Sequence, residues 1–254
     1  MQGNDVALDV VGVSKSFGGV RAVHDASFRV GVGERHALIG PNGAGKTTLF
    51  NLVAGELQAD SGRISLFGRD VTRLAVERRA SLGLGRTYQI SQLFGGLTVA
   101  ENLALATRRG RRAAFRMFSR RSADAGTHAE VGRAASAVQL SGRLEDRVSD
   151  LSHGEQRQLE IGMVLAMRSD LIMLDEPAAG LSPVERVTLA EVISSLPQEK
   201  TLVLIEHDMD LVLRLAERIT VLDRGRPIAE GTPAEIRSNA MVQDVYLGSA
   251  AGHD

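Results

Sequence analysis

Arg35–Phe50 reads RHALIGPNGAGKTTLF, and the order of residue types in it decides the fold. Ala37, Leu38 and Ile39 make an apolar run of strand length, Gly40–Gly45 a glycine-rich turn, and Lys46 opens a helix. Gly40, Gly45, Lys46 and Thr47 satisfy the spacing G-x-x-x-x-G-K-[ST]. Glycines let consecutive backbone N–H groups turn inward around a polyphosphate with no Cβ in the way. A helix beginning at Lys46 aims its unpaired N–H groups and the positive end of its dipole at the same anion. Lys46 would reach the β/γ-phosphates, and the Thr47 hydroxyl suits Mg²⁺. Chance produces this pattern in a chain of such length on the order of 1% of the time. With only three lysines present (Lys15, Lys46, Lys200), it does so less often still. The stretch is a nucleotide-binding loop.

The bulk properties narrow the class. A chain of 254 residues can bury a full core as one domain with a subdomain. A formal net charge of −1 gives no global pull toward nucleic acid or membrane. No apolar run approaches the ~18 residues needed to cross a bilayer, and no signal peptide is expected. The absence of cysteine excludes disulfides and thiolate metal sites and fits the cytoplasm.

Outward from the loop, Val6–Val30 alternates apolar and polar positions around Gly18-Gly19, an antiparallel strand–turn–strand signal with Phe17 at the turn. Gly55 is a stop for the helix, and Arg63–Phe67 reads as a strand turning at Gly68. GLGRTYQ (Gly83–Gln89) reads as a strand ending on Gln89, by itself an ordinary solvent-facing residue. From Thr98 to Asp150 the pattern becomes helical and Arg-rich, with seven arginines between Arg108 and Arg121. That run reads as a solvated face, or as one near anionic lipid or an acidic partner.

Three later stretches end on chemistry-bearing residues. LSHGEQ (Leu151–Gln156) carries an S-x-x-E capping box, Ser152 with Glu155. His153 and Gly154 fall in the first turn, which would leave exposed N–H groups at a second helix end suited to an anion. LIML (Leu171–Leu174) is a buried strand ending in Asp175-Glu176-Pro177, where two carboxylates suit Mg²⁺ and water chemistry. TLVLI (Thr201–Ile205) is another, ending in Glu206-His207-Asp208. His207 would share the sheet edge with Asp175 and Glu176. Ser182-Pro183-Val184-Glu185 and Thr232-Pro233-Ala234-Glu235 are further capping boxes, and a hairpin about Gly225 lies between them.

The phosphate loop, LSHGEQ, LIMLDEP and His207, in that order over nearly the whole chain, resemble the ATP-binding subunit of ABC transporters. EPAAGLSP, IEHDMD and VYLG, with the Arg-rich segment, look most like the subfamily serving branched-chain amino acid uptake. The resemblance implies an α/β fold: a P-loop NTPase (RecA-like) core with an N-terminal antiparallel β-subdomain and an inserted α-helical subdomain. Residues 1–89 and 154–235 would form core and β-subdomain, 90–153 the helical subdomain and 236–254 a tail, with no added regulatory domain. ATP would be bound by Phe17 (stacking on adenine), Asn42, Gly43, Ala44, Gly45, Lys46, Thr47, Thr48 and Gln89. In a head-to-tail dimer, Ser152, His153, Gly154 and Glu155 of the other subunit would contact it. Thr47, Gln89 and Asp175 would hold Mg²⁺, Glu176 would be the general base, and His207 would contact γ-phosphate. His153 and Glu155 depart from the usual LSGGQ, and AGLS (Ala179–Ser182) stands where SALD is usual.

The implied function is ATP hydrolysis powering import of branched-chain or related amino acids. The implied partners are transmembrane permease subunits, a second ATP-binding subunit and, indirectly, a substrate-binding protein, with no nucleic acid. The chain would sit peripherally on the cytoplasmic face of the membrane. Similar motifs occur in ATPases of lipid or lipopolysaccharide exporters and in soluble ABC ATPases.

Overall fold

The computed structural model describes residues 5–87, 93–110 and 122–250. In chain order the strands are β1 (Val6–Phe17), β2 (Val20–Gly31), β3 (Arg35–Ile39), β4 (Ser61–Leu66), β5 (Arg69–Asp70), β6 (Leu84–Arg86), β7 (Leu171–Asp175), β8 (Thr201–Ile205), β9 (Arg218–Asp223) and β10 (Arg226–Gly231). The helices are α1 (Lys46–Ala54), α2 (Val76–Ala80), α3 (Val99–Gly110), α4 (Ser122–Ala137), α5 (His153–Ala166), α6 (Pro183–Ser194), α7 (Met209–Leu215), α8 (Pro233–Ser238) and α9 (Ala240–Ala250). The chain forms two compact units, one of residues 1–84, 171–176 and 198–254, the other of 85–170 and 177–197.

The first unit carries two sheets. One is four-stranded, in the order β2-β1-β4-β5, and its pairs are antiparallel, as the alternation in Val6–Val30 predicts. The other runs β10-β9-β3-β8-β7 within this unit. Its centre is parallel: Ala37 of β3 lies opposite Leu204 of β8 on one side and Ile219 of β9 on the other. All five residues of β7 and of β8 are buried, and their LIML and LVLI stretches read as unbroken apolar runs, as expected of parallel strands covered on both faces. Leu49, Phe50, Leu52 and Val53 of α1 share a core with Leu8 and Ile64 of the antiparallel sheet and Leu38, Met173 and Val203 of the parallel one. A second core joins Ala37 and Ile39 to Val212, Ile236 and Val242 of the C-terminal helices.

Helix α1 ends as its sequence asks, on Gly55 in the left-handed region. What the sequence does not announce is Arg79, a fully buried arginine. Its guanidinium donates to Leu52 O (2.7 Å) and Val53 O (2.7 Å), two carbonyls of the last turn of α1. It also donates to Leu74 O (2.9 Å) and Thr72 O (3.2 Å). A cation thus sits at the negative end of the helix whose other end faces the glycine-rich loop. Burial pulls the Arg79 pKa down to about 10, against the opposing charge of Asp70.

The second unit is helical. Thr98 and Glu101 cap the start of α3 reciprocally, Glu101 accepting from Thr98 N–H (2.8 Å) and Thr98 Oγ1 from Glu101 N–H (3.2 Å). Gly162 lets α5 approach its neighbours closely: a Cβ there would lie 3.0 Å from Val138 Cγ2 and 3.2 Å from Leu103 Cδ2.

Replacing Arg79 by Met should strand these carbonyls in the core and cost about 2–4 kcal/mol of stability. A urea unfolding midpoint unchanged from the parent protein would contradict this.

Candidate functional site

Two chain positions hold the glycine-rich loop in shape from outside it. Gly225, in the β9–β10 turn, donates its N–H to Ala44 O (2.9 Å) and accepts from His24 N–H of β2 (2.7 Å). The approach is so close that a Cβ on Gly45 would lie 2.3 Å from Ala22 O, and Gly45 has a φ of 95°. Only glycine fits there. Asn42, Gly43 and Thr47 are exposed at the loop and the start of α1, Thr48 is half-buried, and Ala44 is buried.

Lys46 is only 7% exposed, and its ammonium donates to the loop's own carbonyls, Gly40 O (2.7 Å) and Pro41 O (2.9 Å). Burial lowers its pKa, while the charges of Glu176 and then Asp175 raise it. Those two carboxylates stand at the end of β7. Asp175 is 2% exposed and pairs in register with Ile205 of β8. Glu176 is half-buried and has a φ of 46°, a left-handed conformation uncommon for a side chain of its size. Its N–H donates to Ile205 O (2.9 Å), so the turn is pinned to the neighbouring strand. Parallel pairing of β3, β8 and β7 thereby brings the loop and the acidic pair to one end of the sheet, where open α/β sheets bind ligands.

His207 follows β8 with its side chain 62% exposed. Beneath it lies fully buried Glu206, whose Oε2 accepts from His207 N–H (3.0 Å) and Asp208 N–H (3.4 Å). Phe17 ends β1 with 46% of its surface exposed, which leaves its ring available for stacking. The Lys15 ammonium lies 5.6 Å from the ring centroid and is itself paired with Asp60 at 2.8 Å. The donors in this unit fit a nucleotide with Mg²⁺: a buried cation, an exposed hydroxyl at a helix start and a buried carboxylate, all hard groups. Among the described residues no cluster of three or more His, Cys, Asp or Glu could hold a metal alone.

In the second unit, Ser152 caps α5 in a reciprocal box with Glu155. Arg143 grips the Glu155 carboxylate through two bonds, at 3.0 and 3.2 Å, and this holds Glu155 below the usual carboxylate pKa. Ser182 and Glu185 cap α6 in the same way. The Gly154 N–H, expected to stand open, instead donates to Glu185 Oε1 (2.9 Å). His153 is exposed and packs on Gly180, where a Cβ would lie 3.2 Å from its Cε1.

Gln89 lies outside the described residues, as does the arginine run from Arg111 to Arg121; Arg108 and Arg109 fall in α3. Sequence reasoning overlooked Glu206, Arg143 and Glu185. Nothing local marks Arg143, whose carboxylate partner lies 12 residues on, or the full burial of Glu206, whose carboxylate turns back on the two N–H groups that follow it. Glu185 was legible only as a helix cap.

Comparison with known proteins bears on the whole chain. Residues 23–179 match the family model described as ABC transporter, and residues 226–252 match one described as branched-chain amino acid ATP-binding cassette transporter. The high-affinity branched-chain amino acid transport ATP-binding protein LivG of Salmonella typhimurium is 40% identical, over 96% of this chain and 98% of its own length. BraF of Pseudomonas aeruginosa, with the same description, is 38% identical, again over 96% of this chain and 98% of its own. The crystal structure of the ADP conformation of MJ1267, an ATP-binding cassette of an ABC transporter, superposes with a TM-score of 0.84. It is 28% identical and covers 96% of this chain and 99% of that one.

Gly45→Ala should reduce binding of a fluorescent ATP analogue by about 10²-fold or more, since a positive φ and a backbone clash act together there. Binding within twofold of the parent protein would show that the loop geometry is not what holds the ligand.

Proposed function

The chain belongs to the ABC transporter family of ATP-binding cassettes, and from that membership we propose that it is the ATP-hydrolysing subunit powering import of branched-chain or related amino acids. One observation carries the hydrolytic part. Buried Lys46, at the start of the helix behind the glycine-rich loop, shares its surroundings with the carboxylates of Asp175 and Glu176. The transport part is supported by LivG and BraF, whose likeness spans the chain, and by the match over residues 226–252. That match favours amino acid import over lipid export.

The residues divide the work. Phe17 offers its exposed ring to adenine. Backbone N–H groups from Asn42 to Thr48 and the Lys46 ammonium hold the polyphosphate; Lys46 exchanges the carbonyls of Gly40 and Pro41 for phosphate oxygens as it does so. Thr47, Asp175 and Gln89 would hold Mg²⁺, which would supply positive charge against the polyphosphate. Glu176 orients the attacking water and takes its proton, and exposed His207 reaches the γ-phosphate from the end of β8. Catalysis rests on positioning and preorganised charge.

The complete site forms between two subunits, head to tail, with Ser152, His153, Gly154 and Glu155 of one closing on the nucleotide of the other. Residues 90–153 serve as the helical subdomain facing the permease, with Gln89 at its start. No helix among the described residues is long and apolar enough to cross a membrane. By family membership the chain is proposed to dock on transmembrane permease subunits at the cytoplasmic face, with a substrate-binding protein delivering the amino acid to them.

Glu176→Gln should keep ATP binding and slow hydrolysis by roughly 10²-fold or more, the scale of losing a positioned base. Lys46→Ala should lose both binding and turnover. Hydrolysis at the parent rate in purified Glu176→Gln protein would contradict the assignment.

A further inference from the structure

Helix α5 opens on Ser152, and the N–H groups of Ser152, Gly154 and Glu155 at its start are already taken. Ser152 N–H donates to Glu155 Oε2 (2.8 Å), and Glu155 N–H to Ser152 Oγ (3.2 Å). The Gly154 N–H is taken by a residue of another element, Glu185 of α6, 31 positions along the chain. The same carboxylate caps its own helix: Oε2 accepts from Ser182 N–H (3.0 Å) and from the Ser182 hydroxyl (2.7 Å). One side chain therefore serves two helix starts, one with each oxygen. The fit is tight, because a Cβ on Gly154 would lie 2.8 Å from Glu185 Cγ.

Four groups stabilise the ionised form, the Ser152 hydroxyl adding the smallest share. With it, the Ser182 hydroxyl, the Ser182 N–H and the Gly154 N–H bring the Glu185 pKa down to about 2, so the carboxylate is charged throughout the physiological range. Its site is open: Glu185, Gly154, Ser152, Val184 and Thr188 line a cavity of about 370 Å³. The carboxylate has room to leave the Gly154 N–H by a side-chain rotation.

We propose that Glu185 is an internal anion occupying the start of α5 in the isolated subunit, and that the γ-phosphate of a partner's ATP must take the Gly154 N–H from it for the dimer to close. The inference rests on the head-to-tail site described above. It makes Glu185 a positioning residue that sets the ATP requirement for closure without touching the nucleotide of its own subunit. Its position on α6, directly after the AGLS segment, links that segment to the start of α5 through one rotatable side chain.

The test uses the full chain carrying Glu176→Gln, which retains ATP, with and without Glu185→Gln. Glutamine at this position can still complete the α6 capping box with its one amide oxygen, but its NH2 cannot accept from the Gly154 N–H, so the cap is kept while the charge and the acceptor at α5 are removed. Dimer formation is followed by sedimentation velocity as Mg-ATP is titrated. Glu185→Gln should lower the ATP concentration at half-dimerisation by about 2- to 5-fold, the range of one exposed charged contact. Binding of ATP to the dilute monomer should stay unchanged. An unchanged or raised half-point would overturn the proposal. A lowered melting temperature with no shift in half-point would assign Glu185 to helix capping alone. No dimer at any ATP concentration in the Glu176→Gln protein itself would overturn the head-to-tail reading, and this inference with it.

Discussion

A buried ammonium needs compensation, and the arrangement around Lys46 supplies it from three directions. The loop carbonyls of Gly40 and Pro41 accept its hydrogen bonds, and Asp175 and Glu176 lend it negative charge. Each of those groups depends on a different part of the fold. The carbonyls are aimed by a loop that Gly225 and β2 hold from outside. The carboxylates arrive because β7 lies parallel to β8, and β8 parallel to β3. Arg79 fixes the far end of α1 through two carbonyls of its last turn. Leaving any one of these out would strand a charge or a set of polar groups in the interior, which is costly. An incoming polyphosphate meets a site whose cation is already desolvated and already placed.

Much of this was legible from residue order. The glycine spacing before Lys46 announced the loop because few backbones other than glycine accept that path. The apolar runs LIML and TLVLI announced strands buried on both faces, and the residues following them marked one sheet edge. The capping boxes at Ser152, Ser182 and Thr232 are all present. Contacts made by chain reversal were illegible. Arg79 looks like one of many surface arginines until four carbonyls are seen around it. Glu206 looks like a polar strand end, yet it is fully buried and shapes the turn that carries His207. Gly154 looked like an open donor because the sequence cannot say that a carboxylate 31 residues away folds onto it.

The two helix starts implied in phosphate binding are consequently unlike. At α1 the nearest side-chain charge is positive and the dipole faces a glycine loop without a capping side chain. At α5 two carboxylates, Glu155 and Glu185, already accept from the Ser152 and Gly154 N–H groups. A helix start that binds anions well also binds the protein's own carboxylates well. The first site is built to receive a polyphosphate directly. On the proposal above, the second would receive one in exchange for a group it already holds, which would tie its occupancy to the assembly of two subunits.

The central claim is that ATP hydrolysis at the Lys46–Glu176 site drives amino acid import. The most direct measurement is radiolabelled leucine uptake by proteoliposomes holding this chain with the permease subunits that co-purify with it, with Mg-ATP supplied on the side the chain occupies and the substrate-binding protein on the other. The account predicts leucine accumulation that requires ATP and rises with phosphate release. Phosphate release with no leucine accumulation, or accumulation indifferent to ATP, would contradict it.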